Sequence, residues 1–135
     1  MQKKYKILLT LPAIILTFTL FILSSFPQLP HIDLGFEWED KIFHFIAFYI
    51  YGVSLILAVL INIKKFDKKR VLILVVIIGA VYGITDELHQ YFVPGRDCDF
   101  FDWLADFTGV ITSLFLFNYI KNKIFSFRFS NTDIK

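Results

Sequence analysis

The sequence predicts an all-α integral membrane protein, a single bundle of four transmembrane helices with both termini on the cytoplasmic side. Three observations predict it. Hydrophobic residues make up 56% of the 135-residue chain and the mean hydropathy is +0.62, above the roughly 45–50% apolar content of soluble domains. Four apolar stretches, at about 7–26, 40–63, 71–93 and 100–120, each approach or exceed the ~20 residues that cross a hydrocarbon layer. The charges are also sorted. With the N-terminus inside, twelve of the fourteen Lys and Arg fall on the cytoplasmic side, leaving Lys41 and Arg96 outside. Positive residues retained inside set membrane orientation, so this asymmetry fixes the expected topology.

The elements follow in order. Lys3, Lys4 and Lys6 precede the run Ile7 to Phe26. A basic start before an apolar stretch also describes a cleaved leader, but the length and the exit Ser24-Ser25-Phe26-Pro27, without a small-x-small site, favour a retained first span. The connection from Pro27 to Glu39 carries Leu29, Leu34, Phe36 and Trp38, residues suited to a membrane interface. Glu39 and Asp40 then open the second helix, where acids complement the positive end of the helix dipole. After the basic loop from Lys64 to Arg70, a third helix covers about 71–93. Val93-Pro94-Gly95-Arg96 has Pro and Gly where a type II turn needs them. Asp99 is placed to cap the fourth helix, with Asp102 three residues on. A Lys- and Phe-rich tail from Lys121 closes the chain.

The acids oppose the lysines. Ten of the twelve, with all three histidines, fall on the outer side; only Asp67 and Asp133 lie inside. Several sit at membrane depth, where each Asp costs about 2.5–3.5 kcal/mol at the centre of an inserted helix. Residues three or four apart share a helix face. That rule places Asp40, His44 and Tyr51 on one stripe. Gly79, Tyr82, Gly83, Asp86 and Gln90 form a second, flanked by Glu87 and His89, and Asp102, Asp106, Gly109 and Ser113 a third. Small residues below and polar ones above are what a membrane helix turns toward its neighbours. The three stripes are therefore expected to meet in the outer half of the bundle.

Each residue also has an ordinary reading. Asp40 and Asp99 serve as helix caps, Lys41 as a snorkelling cation, Asp97 and His31 as loop residues. Tyr51, Gly79, Gly83, Gly109 and Ser113 serve as packing. Asp86, Glu87, His89, Gln90 and Asp106 lie too deep for caps or solvent; their plain reading is a hydrogen-bond network joining the helices. The expected ligand-binding set is Asp40, Lys41, His44, Asp86, Glu87, His89, Gln90, Arg96, Asp102 and Asp106. In it Arg96 would hold an anionic group, and Asp102 and Asp106 would anchor Arg96 or His89. Composition excludes an internal disulfide and any cysteine-based zinc knuckle, since Cys98 stands alone. The basic residues are not interleaved with aromatics on one face, so no nucleic-acid partner is expected.

The string Asp40-Lys41-x-x-His44-Phe45-x-Ala47, then Glu87-x-x-Gln90-x-Phe92-x-Pro94-Gly95-Arg96, then Asp102-x-x-x-Asp106-x-x-Gly109, resembles the VanZ-like family of small bacterial membrane proteins. The resemblance spans residues 40–113. It implies a small multi-helix bacterial membrane protein, and the charge asymmetry then places the polar cluster on the extracytoplasmic side of the plasma membrane. The family's namesake is linked to low-level teicoplanin resistance. Many members carry Asn where this chain has Asp106, while those resembling Asp86-Glu87-x-His89-Gln90 carry Asp.

Three functions compete. The first is a non-enzymatic pocket for a cell-envelope component or phosphorylated lipid headgroup, gripped by Lys41 and Arg96, since Arg binds phosphate in two-pronged fashion. The second is an intramembrane hydrolase or transferase on a lipid-linked substrate, with Glu87 or Asp86 as base and His44 or His89 as acid. A divalent metal, if it assists, would take Asp40, His44, Asp86 and His89; no other cofactor is expected. The third is a lipid transporter, disfavoured because no inverted repeat or broken helix is visible. The expected partners are membrane lipids and a cell-wall precursor or other lipid-linked ligand.

Overall fold

A computed structural model describes residues 3–27, 38–63 and 66–130. All regular structure in them is helical: α1 (Lys3–Ser24), α2 (Glu39–Asn62), α3 (Lys68–Gln90), α4 (Phe100–Ser113), a 3-10 turn at Leu114–Leu116, and α5 (Phe117–Ser130). Four helical segments are long and apolar enough to cross a membrane, the last running from Phe100 to Ser126 through the 3-10 turn. His31 and the interface residues Leu29, Leu34 and Phe36 lie outside the described residues.

The helix limits depart from the expected ones for local reasons. The Asp67 side chain accepts from the Arg70 amide at 3.3 Å, so α3 starts at Lys68, ahead of its apolar run. It stops at Gln90 rather than Val93. Pro94 disfavours helical geometry at the residue before it, and the type II turn follows, with Gly95 at φ 84° and the Arg96 amide on the Val93 carbonyl at 3.1 Å. The fourth span does not end near Ile120. It tightens at Leu114–Leu116 and continues as α5, which docks back on the α2–α3 connection. There Phe125 packs edge-on against Phe66, with centroids 5.7 Å apart, and Lys121 lies over the Phe66 ring.

Side-chain contacts give the bundle an up-down-up-down arrangement. Asn62 near the end of α2 reaches Thr10 near the start of α1 at 2.8 Å. At the opposite end, Ser24 of α1 bonds to Asp86 of α3, and Lys41 of α2 meets Asp99 and Asp102 at the start of α4. Of the described acidic residues, all but Asp67 thus gather at one end, and the start of α3, with Lys68, Lys69 and Arg70, lies at the other. Helix α2 is central, packing on α1, α3, α4 and α5.

Between α2 and α4 the backbones nearly touch. A Cβ placed on Gly109 would lie 2.5 Å from the Phe45 carbonyl oxygen and 2.9 Å from the Tyr49 nitrogen. Glycine is what allows this approach, the usual way membrane helices pack where burial gains nothing over lipid. Midway down, Phe48, Tyr51 and Tyr82 form an aromatic knot, Tyr82 donating to the Thr17 carbonyl of α1 at 2.6 Å. Ile7, Phe18 and Ile22 on α1, Ile50 on α2 and Ile77 and Val81 on α3 are exposed. A soluble monomer rarely bears so continuous an apolar surface; hydrocarbon would cover it.

Candidate functional site

The site is assembled by helix ends. Asp99 caps α4, its Oδ1 accepting from the Phe101 amide at 2.8 Å. From that start, Asp102, Asp106, Gly109 and Ser113 follow at helical spacing along one face, and all four are buried. The last turns of α3 bring in Asp86, Glu87 and Gln90, also buried, and the first turns of α2 bring in Lys41 and His44. Helix α1 closes one side with Ser24 and Ser25.

Two layers result. In the upper one, the Lys41 ammonium lies 3.0 Å from Asp40, 2.8 Å from Asp99 and 2.9 Å from Asp102. An ammonium has three N–H donors, and three carboxylates use them. Lys41 therefore bridges α2 and α4 rather than snorkelling. Its nearness, with the Phe101 amide, holds the Asp99 carboxyl below its ordinary value. The neighbouring Cys98 thiol is raised, by partial desolvation and then by the negative charge of Glu87 and Asp99.

The lower layer lies deeper, its three carboxylates buried. His44 Nδ1 lies 2.9 Å from Asp106 Oδ1, and Asp106 is fully buried. Asp86 receives the Ser24 hydroxyl on one oxygen and the Gln90 amide on the other at 3.0 Å. Glu87 Oε2 accepts the Asp99 amide at 2.9 Å. One donor atom from each of His44, Asp86, Glu87 and Asp106 lies within 4.8 Å of the other three. Among the described residues, two buried side-chain oxygens have no hydrogen-bond partner, Glu87 Oε1 and Asp106 Oδ2, and both belong to this quartet. Leaving such an atom unpaired costs roughly 1–3 kcal/mol. The quartet can thus hold and pass protons, orient a water, or ligate a cation.

Several expected roles need correction. Arg96 does not meet Asp102 or Asp106; its Nε donates to the Phe26 carbonyl at 3.1 Å, because the turn after α3 carries it beside the exit of α1. His89 is not anchored by them either. Its Nε2 lies 2.9 Å from the Ser25 hydroxyl and its ring packs on Phe21 with centroids 4.5 Å apart, one helical step off the buried face that carries Asp86 and Gln90. Asp102 pairs with Lys41 and Asp106 with His44 instead. Of the four metal ligands named from spacing, only His44 and Asp86 share a cluster. Glu87 and Asp106 stand where Asp40 and His89 were expected, and the Asp40 side chain remains 54% exposed.

Ser24 and Ser25 were not anticipated as partners. Sequence offers one signal: two adjacent hydroxyls closing a span whose neighbour carries Asp86 and His89 at the same depth. Asp99 was anticipated only as a cap, and the structure gives its second oxygen to Lys41. Gly52, whose added Cβ would collide with Ser113, is a further unanticipated close contact between α2 and α4.

Neither a curated protein nor a solved structure matches the chain. A family model described as VanZ/LLP1 matches residues 4–122, which takes in all four membrane-length segments nearly to the end of the last. That match and the placement of the motif residues on three adjoining helix ends lead to one conclusion: this multi-pass helical chain belongs to the VanZ/LLP1 family.

Proposed function

We propose that the protein is a hydrolase or transferase embedded in the bacterial plasma membrane, with its site opening to the extracytoplasmic side and acting on a lipid-linked envelope substrate. The observation that carries this reading is the His44–Asp106 pair with Glu87 beside it, set between three helices with both carboxylates buried and the imidazole part-buried. Asp106 holds the imidazole through Nδ1 at 2.9 Å, the way a carboxylate orients an acid–base histidine. Glu87 is fixed through Oε2 and keeps Oε1 for a water. Glu87 takes a proton from that water, its oxygen bonds to the phosphorus or carbonyl carbon, and the bond to the leaving group breaks as His44 supplies a proton. Each such transfer contributes typically 10²–10⁴-fold.

Binding of a phosphorylated headgroup without reaction, including a role of the teicoplanin-resistance kind, ranks second. It relies on Lys41 and Arg96, and the Lys41 donors face three carboxylates while Arg96 Nε is tied to Phe26. Purified protein in nanodiscs is incubated with polyprenyl monophosphate and diphosphate, and phosphate release or transfer is followed. We expect Glu87→Gln and His44→Ala each to lose at least about 100-fold, and Arg96→Ala under tenfold. If wild type turns over neither lipid faster than Glu87→Gln, the catalytic reading fails. Crosslinking of a phosphorylated lipid from position 96 would then favour the receptor.

A further inference from the structure

We infer that His44, Asp86, Glu87 and Asp106 together bind one divalent transition-metal ion of the zinc or manganese class. This rests on the catalytic reading of the same site but reassigns two roles, since with the ion bound Glu87 and His44 would serve as its ligands and the ion, rather than Glu87, would activate the water; its binding is measurable without any substrate.

Geometry comes first. Three adjoining helices converge one imidazole and three carboxylates, with a donor atom from each within 4.8 Å of the rest. Metal–donor bonds of about 2.0–2.2 Å place the ligand atoms of a tetrahedral ion about 3.4 Å apart. Closing the shell therefore takes inward shifts of less than about one ångström, which carboxylate rotamers supply.

The second observation is independent of the clustering. Glu87 is 4% exposed and Asp106 is 0% exposed, yet Glu87 Oε1 and Asp106 Oδ2 have no partner among the described residues. Protonation alone does not resolve this. One carboxyl proton, shared with a neighbouring carboxylate of the quartet, would pair these atoms but leave two of the three negative charges in place. A cation satisfies both oxygens and offsets the three negative charges that Asp86, Glu87 and Asp106 bring out of water, where unpaired charges are most costly.

Supporting contacts fit the same reading. Ligands in metal sites are oriented by outer hydrogen bonds. Here Ser24 and Gln90 brace Asp86, the Asp99 amide braces Glu87, and Asp106 Oδ1 faces His44 Nδ1. One imidazole with three carboxylates suits zinc, manganese or iron and lacks the soft sulfur that copper(I) prefers.

The test uses full-length protein in detergent, stripped with EDTA and titrated with Mn²⁺ by electron paramagnetic resonance. Gel filtration and circular dichroism verify the fold of each variant. We expect one Mn²⁺ per chain, an electron spin-echo nitrogen coupling from the imidazole, and an affinity at least tenfold weaker in Glu87→Gln and His44→Ala. Asp97→Asn, in the exposed turn outside the quartet, should bind as wild type does. Less than about 0.1 equivalent bound by folded wild type, a bound ion without nitrogen coupling, or equal loss in Asp97→Asn would each overturn the assignment. The wild-type readouts stand even if a variant fails to fold. Failure to bind with lipid turnover retained in EDTA sinks the metal site and spares the hydrolase; binding without turnover of any lipid does the reverse.

Discussion

Gly109→Ala should loosen the joint on which the polar site depends. The added Cβ would lie 2.5 Å from the Phe45 carbonyl oxygen and 2.9 Å from the Tyr49 nitrogen, whereas ordinary contact begins at 3.4 Å. Both obstacles are backbone atoms of α2, so no rotamer change relieves them, and α2 and α4 must part by about 0.9 Å. Overpacking of this kind costs typically 1–3 kcal/mol, and rigid backbone puts this case near the top. Replacing helical glycine by alanine returns at most about 1 kcal/mol, which leaves a net loss of about 2 kcal/mol. The same separation acts one and two turns away. A 0.9 Å shift would stretch the 2.9 Å His44–Asp106 and Lys41–Asp102 contacts past hydrogen-bond range. SDS-driven unfolding in mixed micelles, read by tryptophan fluorescence, measures the loss. Gly83→Ala is the comparison, because its Cβ would come no closer than 3.2 Å to Trp103 and should cost under about 1 kcal/mol. A Gly109→Ala protein within about 0.5 kcal/mol of wild type, or one less affected than Gly83→Ala, would refute the packing argument.

Two further outcomes test the upper layer and the orientation. Lys41→Met leaves Asp99 and Asp102 facing each other without their shared cation and should cost about 2 kcal/mol, below the 3–5 of a fully buried pair because Asp99 is 36% exposed; Lys41→Met combined with Asp102→Asn should recover part of it in the same unfolding assay. Because the Asp99 carboxyl is lowered on folding, its contribution is present above the unfolded value of about 3.9 and disappears as pH falls through the lower folded value. Wild type should therefore weaken below about pH 4 more steeply than Lys41→Met, and superimposable acid profiles would contradict the assignment. Cys98 is the sole cysteine and is exposed at the acidic end. A membrane-impermeant maleimide should label it in intact cells, more slowly at pH 7 than it labels an unperturbed thiol because this thiol is raised; labelling only after permeabilisation would reverse the proposed orientation.

Much of the site was legible before any coordinates. His44, Asp86, Glu87, Gln90, Asp102 and Asp106 were singled out because an ionisable or amide group inside an apolar run needs a partner. All six do lie in or beside the two polar layers. The pairings were not legible. Arg96 and His89 looked like natural partners for Asp102 and Asp106 by charge alone, but a turn and a helix rotation decide which side chains can touch. Asp86 and His89 are three residues apart, yet one faces the buried cluster and the other packs on Phe21. Ser24 and Ser25 were overlooked because a hydroxyl within an apolar span carries no cost that demands explanation.

Hydropathy and its spacing determined that this chain is helical and how many segments can cross a membrane, since a hydrocarbon solvent forces every backbone group to be satisfied within its own helix. Motif spacing determined which faces carry polar groups, because 3.6 residues per turn is a property of the backbone alone. Only the tertiary structure decided that Lys41 binds three carboxylates, that His44 rests on Asp106, and that two buried carboxylate oxygens have no partner among the described residues. Those facts depend on how α2, α3 and α4 cross, and that crossing is set by glycine-sized gaps between backbones far apart in the chain.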